Sequence, residues 1–275
     1  FVGPTGAEKP TAFASIAGLL KACGGAMDVL GRGWFNPILH KGIITLLPQD
    51  AQLPGGTRVR EILVHFGLLQ GLERKASERS VDHILDWVDL TDRAKSPIAS
   101  LSHGMIRRLA AAQAFIGDPE LVLLDEPTSG LDPQQVVRIR DLIISRRGRQ
   151  TILVSSHILS EIEAACDHVA FIDKGITTRQ DTMDGIIEKK RQLTLHLSRP
   201  LDTIPPEIVQ NSPDITVSLA GNGRLLNVRF TESESPAIII RTVLPLLWTA
   251  GVDVEEIRRG SDLETIYLED RMNHF

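Results

Sequence analysis

Two adjacent carboxylates close the apolar run Leu121-Val122-Leu123-Leu124-Asp125-Glu126. A strand that ends this way sets its acids at the carboxyl edge of a parallel sheet, where α/β proteins place ligands. There Asp125 would hold Mg²⁺ through its water shell, and Glu126, directly beyond it, would polarise or orient an attacking water as general base. The same segment in isolation fits a strand entering an Asx-type turn before Pro127. Near the start, Gly3-Pro4-Thr5-Gly6-Ala7-Glu8-Lys9-Pro10-Thr11 resembles the pattern G-x-x-x-x-G-K-[ST], in which backbone N–H groups and a lysine surround phosphates. Glu8 stands where the pattern has its second glycine, and Pro10 where it has the Mg²⁺-binding hydroxyl. Taken alone, such a match is more often a Gly/Pro turn leading into a helix.

A third stretch is more specific. Leu101-Ser102-His103-Gly104-Met105 looks like the L-S-G-G-Q signature of ATP-binding cassette proteins, with His103 replacing the first glycine. A Ser-capped helix start explains Ser102 but not the rest. Three further landmarks fall in family order: Gln49 in Leu47-Pro48-Gln49-Asp50, the D-loop Ser129-Gly130-Leu131-Asp132, and His157 in Ser155-Ser156-His157. A lone His after a strand is more often a satisfied surface or core residue. The ordered set identifies residues 1 to about 185 as similar to the ATP-binding subunits of this family.

The resemblance implies an ATPase using ATP and Mg²⁺. Glu126, His157 and Gln49 would be catalytic, and Asp125 and Gln49 would lie at the metal. Residues Gly3 to Thr11, with Ser102, Gly104 and Asp132, would contact the nucleotide. In the family the signature helix faces the γ-phosphate held by another subunit, so Ser102 and Gly104 would act only in a dimer, of like or related chains. Ser261-Asp262-Leu263-Glu264-Thr265-Ile266-Tyr267-Leu268-Glu269 resembles the closing segment of bacterial exporter ATPases for drugs, lipids and polysaccharides; alone it fits an amphipathic helix. The implied partners are separate membrane-spanning subunits, with this chain peripheral on the inner, cytoplasmic face. A non-hydrolysing subunit acting through its interfaces is the alternative, since Glu8 and Pro10 depart from the pattern.

These residues need a frame to hold them. The short apolar runs Ile43 to Leu47, Leu121 to Leu124, Ile152 to Val154 and Val169 to Ile172 read as strands buried on both faces. Met105, Leu109, Ala112 and Ile116 recur at helical spacing, as do Val81, Ile84, Leu85 and Val88, giving two amphipathic helices. The expected fold is α/β: a mostly parallel sheet of the P-loop NTPase kind, with a helical subdomain inserted over about residues 58–116. After Lys190, alternating runs at 193–197, 215–219 and 225–230, an Asn222-Gly223 hairpin signal and a helix from Pro236 to Thr249 indicate a small α+β domain. The expected division is 1–188 and 189–275. Because the chain opens at Phe1, inside what reads as a strand, N-terminal strands are expected to be missing.

Composition narrows the class further. Lys and Arg number 30 and Asp and Glu 35, a net charge of −5, which gives no electrostatic footprint for nucleic acid. No run approaches the roughly 18 apolar residues of a membrane span. Cys23 and Cys166 are too few for a zinc cluster and read as buried reduced thiols.

Overall fold

The computed structural model describes residues 1–4, 6–210, 215–231, 235–260, 263, 266 and 267, with only the backbone of 187–190 and 210. Thr5 therefore lies outside the described residues, as does the exporter-like tail apart from Leu263, Ile266 and Tyr267. The chain forms two compact units, Phe1–Gln180 and Asp181–Phe275.

The first unit is built on three parallel strands, β1 (Ile44–Leu47), β2 (Leu121–Asp125) and β3 (Thr151–Ser155), in the order β1-β2-β3. All five residues of β2 are buried, as a central strand covered on both faces requires, which is why its sequence is apolar until the carboxylates. Register places Leu47 beside Leu124 and Asp125 beside Ser155, so the strands end together at one edge. Beyond β3, Val2 bridges in parallel to both Ser156 and Phe171; the latter lies in β4 (His168–Asp173), which pairs with β5 (Ile176–Thr182).

Helices α1 (Lys9–Ile16), α2 (Val59–Leu69), α3 (Arg74–Trp87), α4 (His103–Gln113), α5 (Pro133–Ser145) and α6 (Leu159–Ala165) alternate with these strands or lie between β1 and β2. Helix α3 buries Val81, Ile84 and Leu85 on one stripe, and α4 buries Leu109 and Ala112, the faces their spacing anticipates. Two caps fix helix starts beside the sheet edge. Ser102 accepts a hydrogen bond from the Met105 N–H at 3.3 Å, and Asp132 one from the Gln135 N–H at 3.0 Å, with Pro133 opening α5, each satisfying a donor that the helix leaves free.

The second unit begins with α7 (Met183–Lys190) and continues β6 (Gln192–Leu197), α8 (Pro206–Gln210), β7 (Ile215–Ala220), β8 (Leu225–Phe230), α9 (Pro236–Thr249) and β9 (Val254–Arg259). From β6 onward this is a βαββαβ unit of ferredoxin-like order, with an antiparallel sheet β7-β8-β6-β9. Leu193, Leu195 and Leu197 of β6 and Leu226 and Val228 of β8 point one way and pack with Ile239, Val243 and Leu247 of α9. The β7–β8 turn spans 221–224, with Asn222 and Gly223 at φ 55° and 82°, the left-handed conformations an Asn-Gly turn supplies.

The cysteines are not the pair of buried thiols expected. Cys23 is exposed, not buried, because it sits in the stretch between α1 and β1, which carries no helix or strand; Cys166 is half-buried and both are free thiols. Among the described residues, no helix is long and apolar enough to cross a membrane.

Candidate functional site

The loop 3–8 leaves the Val2 bridge and turns into α1 at the sheet edge. Gly3 is dictated by packing: a Cβ there would stand 2.2 Å from the Ile172 carbonyl oxygen, closer than any side chain can go. Glu8 is the N-cap of α1 at φ 63°, a left-handed backbone in which a residue with a side chain is strained. Its exposed carboxylate accepts a hydrogen bond from the Thr11 hydroxyl at 2.6 Å. Pro10 is the second helical residue, where its missing N–H breaks no intrahelical bond. The altered loop thus still delivers a helix N-terminus to the edge, with Thr11 carrying the only hydroxyl between Lys9 and Ala12.

At the end of β2, Asp125 is 3% exposed and accepts a short hydrogen bond from the Ser155 hydroxyl. Glu126 takes φ 49°, and its N–H is held by the Ser155 Oγ at 3.0 Å and the Ser155 carbonyl at 3.2 Å. That turn aims the carboxylate at two partners: the Lys9 Nζ lies 3.6 Å from one oxygen, and the His157 Nδ1 lies 2.7 Å from the other. Lys9 is itself buried, and its ammonium also donates to the Gly3 carbonyl at 2.9 Å. A base, a cation and an imidazole thus form one connected group.

These side chains line a cavity of about 430 Å³ that gathers Pro4, Gly6, Ala7, Glu8, Lys9, Pro10, Thr11, Gln49, Asp125, Glu126 and His157, together with Ser129. Gly3 stands behind it, through its carbonyl. Ser102, Gly104 and Asp132 do not line it; they mark the starts of α4 and α5, where a Cβ on Gly104 would meet the Gln135 amide at 2.4 Å. The oxygen groups of Asp125, Gln49 and Thr11 in this cavity suit a hard cation such as Mg²⁺, whereas Pro10 offers it no ligand.

Two residues escaped the sequence reading as individuals. Ser155 appears there only as a neighbour of His157, yet its hydroxyl joins Asp125 to Glu126. Arg107 was hidden among the polar positions of α4; it is buried, at 9% exposure.

Burial drives the Asp125 carboxyl above its ordinary range; the Ser155 hydrogen bond opposes this, Glu126 adds to it, and Lys9 and Arg107 oppose it. A raised folded pKa means that the native state holds the proton more tightly than the unfolded chain. Stability therefore falls as pH rises from the ordinary carboxylate value through the raised one. Asp125→Asn is expected to raise the Tm of the nucleotide-free protein at pH 7, by roughly 2–4 °C per kcal/mol relieved in a chain of this size. The difference should vanish in acid, below the unfolded value. Thermal unfolding of both proteins across pH checks it; an unchanged or lower Tm at pH 7 would mean that the ionised carboxylate is not costly.

A family model described as ABC transporter matches residues 1–129. An ABC transporter ATP-binding protein of Bacillus subtilis, YhcH, is 29% identical over 246 residues, covering 87% of this chain and 76% of that protein. The bacitracin transport ATP-binding protein BcrA of Bacillus licheniformis is 34% identical over 197 residues, covering 70% of this chain, and the Nod factor export ATP-binding protein I of Burkholderia lata is 33% identical over 194, covering 69%. The chain spans 63% of each of these last two, less than two thirds of their length. Among solved structures, an ATP-binding subunit of an ABC transporter matches with a TM-score of 0.60 and 27% identity over 67% of this chain and 78% of that one. A dimeric ATP-binding cassette bound to ADP and Pi, in a post-hydrolysis state, shares the fold with a TM-score of 0.60 at 20% identity, over 66% of this chain and 83% of that one.

Proposed function

The chain belongs to the ABC transporter family, and from that premise we propose that it is the ATP-binding and ATP-hydrolysing subunit of an exporter, working as a dimer against separate membrane-spanning partners. The observation that carries the reading is the single cavity in which the N-terminus of α1, Lys9, Asp125, Glu126, Gln49 and His157 meet. The helix N-terminus and Lys9 offer positive charge to the phosphates of ATP. Glu126 would take the proton of the attacking water, or orient that water, while His157 holds the carboxylate from its other side. Asp125 and Gln49 would hold Mg²⁺, which when bound neutralises charge on the phosphates. ATP entering the cavity would draw Lys9 away from Glu126, freeing the carboxylate for water.

Ser102, Gly104 and Asp132 belong to the proposal through a second chain. They lie outside this cavity, and the capped start of α4 presents free N–H groups that would face the γ-phosphate in another subunit's site. Helices α2 and α3 would receive the membrane partner, placing the chain at the inner face of the membrane. The names of the relatives, for bacitracin transport and Nod factor export, support an export role; cargo belongs to the partner's chemistry.

The test uses the purified chain with and without Mg²⁺. It is expected to bind ATP, to release phosphate only when Mg²⁺ is present, and to sediment as a dimer at saturating nucleotide. Binding with no Mg²⁺-dependent phosphate release would remove the hydrolytic part of the assignment; a monomer at saturation would remove the homodimer.

A further inference from the structure

Arg107 is a buried cation that donates to two backbone carbonyls. One terminal nitrogen of its guanidinium donates to the Gln49 carbonyl at 2.6 Å, and the other to the Glu126 carbonyl at 2.9 Å. A single planar fork therefore joins three segments: α4, the loop after β1 and the turn after β2. The turn needs such a hold, because Glu126 sits at φ 49°, a conformation that persists only when its surroundings over-determine it. Ser155 fixes the Glu126 N–H and Arg107 fixes its carbonyl, so both ends of the residue bearing the carboxylate are clamped. Arg107 itself does not line the cavity.

We propose that Arg107 is a positioning residue for ATP turnover, which aims the Glu126 and Gln49 side chains into the cavity by gripping both of their carbonyls. Because Arg107 rides on the helix capped by Ser102, a displacement of α4 is transmitted to the general base and to Gln49 together. This inference rests on the ATPase reading above. A merely structural role for Arg107 predicts different behaviour, and α4 carries its own control. The Thr45 hydroxyl donates to the Ala114 carbonyl at 2.6 Å, a second tie between the α4 region and β1 that touches neither Gln49 nor Glu126.

The experiment compares wild type, Arg107→Gln, Arg107→Lys and Thr45→Val in steady-state ATP turnover, in calorimetric ATP binding with and without Mg²⁺, and in thermal unfolding. Arg107→Gln is expected to lower kcat about 10- to 100-fold, the range for residues that orient a catalytic group from behind, with KM and metal-free ATP affinity within about threefold of wild type. Arg107→Lys, which keeps the charge and reaches one carbonyl at a time, should fall between the two. The gain in ATP affinity on adding Mg²⁺ should shrink in Arg107→Gln, because Gln49 is no longer aimed. Thr45→Val should lower Tm with kcat unchanged. A fall in Tm for Arg107→Gln with kcat preserved overturns the proposal, and so does an equal loss of metal-free affinity and turnover. Should wild type itself release no phosphate, the ATPase reading fails, and the Mg²⁺-dependent gain in affinity decides the Arg107 inference by itself. Arg107→Lys serves the same comparison if Arg107→Gln does not fold.

Discussion

Glu126→Gln is expected to lower turnover by about 10²- to 10⁴-fold, the usual contribution of a positioned general base, while ATP still binds. The amide matches the carboxylate in shape and tolerates the same backbone turn, and it can still meet the His157 imidazole that now lies 2.7 Å from Glu126. It cannot take a proton. The substitution also removes the negative partner of Lys9, 3.6 Å away, so the ammonium no longer has to leave an ion pair to meet a phosphate. Affinity for ATP should therefore hold or rise. Unhydrolysed nucleotide would then accumulate, and the dimer should persist in sedimentation for as long as ATP is bound. Phosphate release and calorimetric binding, measured side by side, check both halves; wild-type turnover in the variant would remove Glu126 from the mechanism.

The second large effect is expected from repair of the phosphate loop. Glu8→Gly with Pro10→Ser should strengthen Mg·ATP binding by about tenfold or more, which needs only about 1.4 kcal/mol. Two contributions act in one direction, since the backbone strain of Glu8 at φ 63° is shared by the free and the bound loop and drops out of the difference. Removing the carboxylate relieves a repulsion of order 4 kcal/mol for charges about 4 Å apart at an effective dielectric of 20, an upper figure because the Glu8 side chain is exposed and tied to Thr11. Serine restores an N–H and a hydroxyl, each worth about 1.5–3 kcal/mol against a charged partner. The dependence on Mg²⁺ should rise as well, since proline supplies no ligand. Titration of the parent and the double variant at matched Mg²⁺ decides it. Equal affinities would mean that Thr11 already serves the metal and that Glu8 stays turned away; weaker binding would mean that residues 3–11 follow a backbone of their own.

What could be read from the residues, and what could not, follows from where their signals come from. The apolar run closing in Asp125 and Glu126 reports its own burial, so β2 and its carboxylates are visible without a structure. The Asn222-Gly223 turn and the Pro236–Thr249 helix are likewise local. Strand β9, Val254–Arg259, escaped because its two apolar residues are set among four charges on the edge of the sheet. Strand β5, Ile176–Thr182, escaped because its polar residues carry no alternation. The clamp at Arg107 is invisible for a different reason. Its partners are carbonyls, which every residue has, and only the folded chain brings those of Gln49 and Glu126 to one guanidinium. Glu8 stood out as a departure from the pattern, but its hydrogen bond to Thr11 depends on a backbone angle that a sequence does not print.

The bridge at Val2 also sets a timetable for synthesis. Val2 donates to the Ala170 carbonyl at 2.9 Å and accepts from the Ile172 N–H at 2.8 Å, while the Gly3 that follows packs on the Ile172 carbonyl. The floor of the phosphate loop is thus made by a strand the ribosome adds near residue 172. At about 5–20 residues per second, the loop waits roughly ten to thirty seconds for its own support. Pairing between such distant segments is also intrinsically slow. A nascent chain stalled before residue 168 should bind no nucleotide, although Lys9, Asp125 and Glu126 are already present in it.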